Sequence, residues 1–211
     1  MYPPPLQKLI ELFGKLPGIG PRQAARFAFF VLKEKEAYVP ELIASLQEVS
    51  AKIKTCAQCY RTMQDPGVRE TLCAFCKDMR RDHAMLAIVE KEADMQNLEK
   101  TGAFHGLYHI LGGVISPLDQ DSPRRLHLGQ LHERVKNLLA SGNGGALEVI
   151  LATSSTTEGD TTALYIERIL APLETQYPQL KISRLGRGLS LGSELEYADE
   201  VTLKSALTNR R

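Results

Sequence analysis

No run of apolar residues in this 211-residue chain exceeds six, the length of Phe27–Leu32. A membrane-spanning helix needs roughly 20, so neither a span nor a membrane partner is expected. The opening Met1-Tyr2-Pro3-Pro4-Pro5 lacks the basic and apolar regions of a secretory leader, so action in the cytoplasm is expected. An excess of charge of one sign is missing too: 26 Lys and Arg stand against 25 Asp and Glu, a formal net charge of +1. That balance excludes the strongly basic type of nucleic-acid binder but leaves room for a local basic patch. The chain has no GxxxxGK(S/T) phosphate loop, and its histidines (His83, His105, His109, His127 and His132) form no HExxH-like set. P-loop nucleotide hydrolysis is therefore not expected, and each histidine reads as an ordinary core or surface residue.

What is present begins with composition. At 43% hydrophobic and 24% charged residues, the chain has the makeup of a globular protein of one or two domains with a real core. The charge divides unevenly. Residues 1–82 hold 13 Lys/Arg and 9 Asp/Glu, whereas residues 83–211 hold 13 and 16. The first part is the better candidate for meeting a polyanion, the second for clustered carboxylates.

All four cysteines fall within 21 residues, as Cys56-Ala-Gln-Cys59 and Cys73-Ala-Phe-Cys76. A CxxC pair turns both sulfurs toward one point, and two such knuckles complete a tetrahedral four-sulfur site suited to Zn²⁺. No coordination position stays open in such a site, so one structural zinc per chain is expected. Two disulfides would need an oxidising compartment, and a redox pair fits the doubled spacing less well. The Asp65-Pro66-Gly67 turn folds the intervening loop back. So short an element has little core of its own, and metal binding would supply its folding energy.

Leu6, Leu9, Ile10, Leu12, Phe13 and Leu16 recur at helical spacing. Leu16-Pro17-Gly18-Ile19-Gly20-Pro21-Arg22 follows, with Gly18 and Gly20 allowing a tight turn and Pro21 suited to start a second helix. This is a helix-hairpin-helix pattern, in which turn amides and a helix N-terminus hold a phosphate without reading a base. Arg22 and Arg26, four apart, share a face for DNA contact; an αα-turn with two solvated arginines is the other reading. A third helix is expected over Pro40–Lys54, with Leu42, Ile43, Leu46, Val49 and Ile53 on a buried stripe.

Met85–Val89 and Leu147–Ala152 read as buried strands, with helices expected over residues 123–140 and from about Thr161 to Leu173. A Ser141-Gly142-Asn143-Gly144-Gly145 loop closes the first of these. Ile182–Leu185 and Glu200–Leu203 read as later strands. The alternation argues for a mostly parallel sheet with helices on its faces. Glu90, Glu158 and Asp160 are expected in loops at strand ends, where adjacent strands would let them converge on Mg²⁺.

In this order, helix-hairpin-helix, four-cysteine element and α/β unit with edge carboxylates, the chain resembles the bacterial RecR family of recombination mediators over essentially its whole length. The blocks carrying the resemblance are LPGIGPRQAARFAF (Leu16–Phe29), the two CxxC pairs, GLYHILGGVISPLD (Gly106–Asp119), EVILATSSTTEGDTTALY (Glu148–Tyr165) and RLGRGLSLGSELEYADEVTL (Arg184–Leu203). The resemblance implies a multidomain α+β and α/β protein. Its parts are a helix-hairpin-helix domain over 1–54, a four-cysteine zinc finger over 55–82, a Toprim domain over 83–172 and a C-terminal arm over 173–211 that exchanges between subunits. It implies a dimer or ring tetramer, associated with the nucleoid, that clamps double-stranded and gapped DNA. With RecO and RecF, such a ring helps RecA replace single-strand-binding protein, without enzymatic turnover.

In catalytic Toprim proteins a glutamate and an Asp-x-Asp pair work with Mg²⁺. Here the glutamate maps to Glu90, but the pair reads Glu158-Gly159-Asp160, with Ser154 after the usual threonine and Ser155 where the family tends to show proline. These departures weaken the alternative of a metal-dependent Toprim nuclease. They favour use of Glu90, Glu158 and Asp160 as an acidic edge for a basic partner, RecO or RecF, in competition with DNA. Glu194–Asp199 resembles the family's Walker B-like segment, which without a phosphate loop reads as structural.

Overall fold

The computed structural model describes residues 2–65, 67, 70–141, 145–189, 192, 194–208 and 210. Contacts divide the chain into two units, residues 1–54 and 55–211.

The first unit holds α1 (Pro4–Gly14), α2 (Pro21–Lys33) and α3 (Tyr38–Lys52). Proline starts both α1 and α2, where its missing N–H costs no helical bond. Ala24 and Ala28 are wholly buried, and their small side chains let α1 and α2 approach closely. Phe13 meets Phe27 edge to face at 6.1 Å. The stripe expected to be buried on α3 is not: Leu42 is half-buried, while Ile43, Leu46, Val49 and Ile53 are exposed, Leu46 to 62%. Helical periodicity identifies an apolar face but not what covers it, and α1 and α2 seal mainly one another.

β1 (Ile53–Thr55) follows α3; in the second unit β2 (Thr62–Gln64) follows the first cysteine pair, and α4 (Ala74–Lys77) carries the second. The main body runs β3 (Asp82–Val89), α5 (Glu92–Lys100), β4 (Gly106–Ile110), α6 (Leu128–Ser141), β5 (Leu147–Ala152), α7 (Thr157–Gln176) and β6 (Leu180–Arg184), and α8 (Glu200–Thr208) follows. The sheet order is β4-β3-β5-β6 with every pairing parallel. Both faces are covered, which is why Met85–Val89 of β3 reads as an unbroken apolar run. Leu86 and Ile88 pack with Leu131 and Val135 of α6 and Ile166 and Leu170 of α7. Ala87 and Val89 face the other way, toward Met95 of α5 and Tyr108. Strand order reverses between β3 and β5, the place where open α/β sheets form a crevice.

Four expectations shift. The helix foreseen over 123–140 is a 3-10 turn at Ser122–Arg125 followed by α6, separated where the His127 N–H donates to the Leu111 carbonyl at 3.0 Å. α7 begins at Thr157 rather than near Thr161, because Thr156 caps it by accepting from the Gly159 N–H at 3.1 Å. The sheet continues past residue 172 to include β6. Glu200–Leu203 is helix, not strand. Asp199 starts it by accepting from the Thr202 N–H at 2.9 Å and the Thr202 hydroxyl at 2.7 Å. In the expected 65–67 turn, the Gly67 N–H donates to Asp65 Oδ1; Pro66 and residues 142–144 of the expected 141–145 loop lie outside the described residues.

His109 of β4 is fully buried, and its Nε2 donates to the His127 carbonyl at 3.0 Å. Burial, reinforced by the charge of Arg134, holds its pKa down to about 3. A histidine in the unfolded chain titrates near about 6.5. Between those values only the unfolded chain takes up the proton. Stability is therefore fully present above about pH 6.5 and is lost as pH falls toward 3. Urea midpoints measured from about pH 7 to about pH 4 should decline over this window. His109→Leu should flatten the decline while costing about 1 kcal/mol at neutral pH through the lost hydrogen bond.

Candidate functional site

The four cysteines converge. Their sulfurs all lie within 4.8 Å of one another, and all four side chains are buried as free thiols. The first knuckle closes as the Tyr60 N–H donates to the Cys56 carbonyl at 3.1 Å and the Cys56 N–H to the Arg61 carbonyl at 2.9 Å. Tyr60 takes a φ of 65° to make that turn. In the second knuckle Cys73 stands just before α4, and its N–H donates to Cys56 Sγ at 3.3 Å. The Cys56–Cys76 and Cys59–Cys73 sulfur separations are 3.8 and 3.5 Å. Bonds of about 2.3 Å in a tetrahedral centre imply sulfur separations of about 3.8 Å, whereas a disulfide needs about 2.0 Å. These distances fit four ligands of one metal ion and exclude the two-disulfide alternative.

This element is docked on the sheet edge. The Ile110 N–H donates to the Cys59 carbonyl at 2.9 Å, and the Tyr60 ring stacks on His127 at 3.8 Å. Phe75, inside the second CxxC, lies against the guanidinium groups of Arg61 and Arg81 at 4.5 and 4.4 Å.

The glycine turn of the first unit takes the expected form. Gly18 has a φ of +76°, a left-handed conformation that favours glycine, and the Ile19 N–H closes the turn on the Leu16 carbonyl at 3.1 Å. Gly20 is the N-cap of α2, its carbonyl accepting from the Gln23 and Ala24 amides at 3.0 and 2.9 Å. The Arg22 N–H, in the first turn, has no helical acceptor by position. Arg22 and Arg26 are exposed on the same flank, and among the described residues neither has an acidic partner.

The three carboxylates are arranged differently from expectation. Glu90 directly follows β3 and is buried, with Oε1 accepting from the Ser154 N–H at 2.6 Å and Oε2 from the Ser154 hydroxyl at 2.9 Å. Glu158 and Asp160 lie in the first turn of α7 rather than in a loop. Two positions apart on a helix, they point to different sides. Glu158 is exposed. Asp160 is held by a bidentate pair with Arg187, one bond being 3.1 Å, and by Arg184 at 3.6 Å. Arg184 also forks onto Glu167 at 2.8 and 2.9 Å. The Arg187 guanidinium keeps the Asp160 carboxyl below the usual carboxylate range. Among the described residues, the cysteines form the one group of three or more metal-ligating residues with atoms this close. The expected convergence of Glu90, Glu158 and Asp160 on a cation is not realised, because Ser154 and Arg187 engage two of the three. Gly159 belongs to this geometry: a Cβ there would sit 2.1 Å from the Ser154 carbonyl oxygen and 3.0 Å from Glu90 Oε1.

Sequence reasoning does not single out Arg184, Arg187 or the buried Arg134. The first two stand in a quoted block, and their opposition to Glu167 and Asp160 in charge is the signal that marks them. Arg134 sits among apolar residues on the inner face of α6, and a lone charge on a buried stripe marks it.

A module of two helices around a glycine turn, a four-thiol element and a parallel sheet with a glutamate at its reversal point define a Toprim-containing protein with a helix-hairpin-helix module. Comparison with family models agrees: a Toprim domain matches residues 85–186, the RecR helix-hairpin-helix matches 6–50 and the RecR C-terminal segment 188–211. The chain belongs to the RecR family. Recombination protein RecR of Cutibacterium acnes is 42% identical over 210 residues, covering 100% of this chain and 96% of that protein. Those of a Nocardioides species and of Streptomyces coelicolor are 43% and 41% identical over 211 residues, covering 100% of this chain and 98% of each.

Removing the guanidinium that Asp160 faces should be visible at that carboxyl. With Arg187→Ala, a carbon-detected NMR titration should find the Asp160 pKa moved up toward about 3.9, the ordinary aspartate value.

Proposed function

We propose that the protein is a non-enzymatic mediator of recombinational DNA repair that assembles as a dimer or ring tetramer and clamps double-stranded and gapped DNA. The observation that carries this is the pair Arg22 and Arg26, exposed and without acidic partners among the described residues, beside the Gly18–Gly20 turn and the start of α2. The turn amides and the two guanidinium groups meet phosphates and not bases, so binding is insensitive to sequence. A chain with a net charge of +1 gathers too little positive charge alone. Affinity therefore follows assembly, as several copies of the module engage one duplex.

In this reading Cys56, Cys59, Cys73 and Cys76 hold one structural Zn²⁺, the ion that four thiolates at these separations suit. Bound zinc supplies folding energy to an element with little core. Glu158, with Glu90 and Asp160 behind it, forms the edge where basic surfaces of RecO or RecF dock in competition with DNA. The part of the 173–211 segment that follows β6 exchanges between subunits. The assembly then helps RecA replace single-strand-binding protein at gaps.

Arg22→Ala combined with Arg26→Ala should weaken binding to duplexes of any sequence. It should also lower the slope of log affinity against log salt by about 2 per protomer in contact, with no change in the size of the assembly. Unaltered affinity and slope would remove the hairpin from the DNA interface. Labelled gapped duplex incubated with Mg²⁺ or Mn²⁺ should stay intact. Cutting that disappears in Glu90→Gln would favour a Toprim nuclease instead.

A further inference from the structure

Arg134 of α6 is buried, at 7% exposure, and its guanidinium is permanently charged. Nη1 donates to the Gln58 carbonyl at 2.9 Å and to the Tyr108 carbonyl at 2.5 Å. Nη2 stands 3.9 Å from Cys76 Sγ. Among the described residues no carboxylate pairs with it. A buried charge without a counter-charge is strongly disfavoured, and neutral carbonyls offset only part of the lost hydration.

The geometry points to the four-cysteine centre as that counter-charge, with Arg134 as the residue that neutralises it and clamps it to the sheet. The inference rests on the metal reading given above. Four thiolates around a divalent ion carry a net charge of −2, in a pocket closed to water. A guanidinium beside Cys76 offsets part of that charge. Its other bonds tie Gln58, inside the first knuckle, to Tyr108 of β4. Retention of the ion and docking of the cysteine element on the parallel sheet then become one coupled equilibrium, in which each favours the other. Arginine suits the role better than lysine, because its planar fork serves two carbonyls and a sulfur at once.

The test is the rate at which the full-length protein yields zinc to an excess of a chromophoric chelator, in four proteins: the parent, Arg134→Gln, Arg134→Lys and Val135→Ala. Val135 is a neighbouring core residue, buried without exposure, so Val135→Ala loosens packing without touching charge. Loss of an outer partner of a metal ligand costs about 10- to 100-fold in affinity. We expect Arg134→Gln to release zinc faster by about that factor, Arg134→Lys to stay nearer the parent, and Val135→Ala to lower thermal stability without accelerating release. Cobalt(II)-loaded Arg134→Gln should keep the thiolate charge-transfer band of four sulfurs, so that the faster release does not reflect a lost ligand. Release from Arg134→Gln at the parent rate, or equal acceleration in Val135→Ala, overturns the inference. Should Arg134→Gln not fold, Arg134→Lys carries the comparison: a rate near the parent's supports the charge role, and one faster by about tenfold or more overturns it. A parent protein that carries no zinc overturns the metal reading itself, an outcome distinct from a loaded parent with an indifferent Arg134→Gln.

Discussion

The pairing of β3 with β5, Val89 opposite Ala152, is the constraint on which the second unit depends. It joins the two halves of a sheet whose strand order reverses at that seam. It also brings the end of β3 beside the loop after β5, so that Glu90 reaches Ser154. A slip of one residue would turn Leu86 and Ile88 away from α6 and α7 and move Glu90 out of reach of its partner. On the other side of β3, the same sheet offers β4 as an edge, and Cys59 completes that edge by accepting from the Ile110 N–H. The acidic crevice and the cysteine element are thus two attachments to one ladder.

The two charged features of this unit are managed in opposite ways. At the crevice, side chains of opposite sign lie close enough to engage one another, with Arg187 and Arg184 on Asp160, while a serine engages Glu90. Arg187 and Arg184 offset the charge of Asp160, whereas the serine is neutral, so Glu90 and Glu158 remain the acids of this crevice. At the cysteine element, charge is concentrated and enclosed. The first arrangement suits a surface that recognises a partner, and the second suits a rigid brace. The first unit differs from both. Its arginines are open to solvent, next to a turn whose backbone is held by its own hydrogen bonds.

Local chemistry is the most legible part of the chain. Two CxxC pairs specify a turn geometry within four residues each, so the sulfur cluster can be read from spacing alone. The same holds for Pro17-Gly18-Ile19-Gly20-Pro21, where glycine and proline leave few backbone choices. What depends on distant partners is harder to read. The stripe on α3 has the right period but no cover within residues 1–54. Glu158 and Asp160 read as loop residues because the cap at Thr156, which extends α7 backward, is a polar residue in a polar stretch. Glu200–Leu203 reads as a strand because four residues cannot distinguish the two periods, and Asp199 decides for helix. Arg134 cannot be understood without the fold, since its partners come from positions 58, 76 and 108.

Asp199 also bears on the segment that resembles a Walker B strand. Both its carboxylate oxygens are taken up by Thr202 in opening α8. Asp199 thus has a duty in the arm, opening its last helix, that calls for no nucleotide.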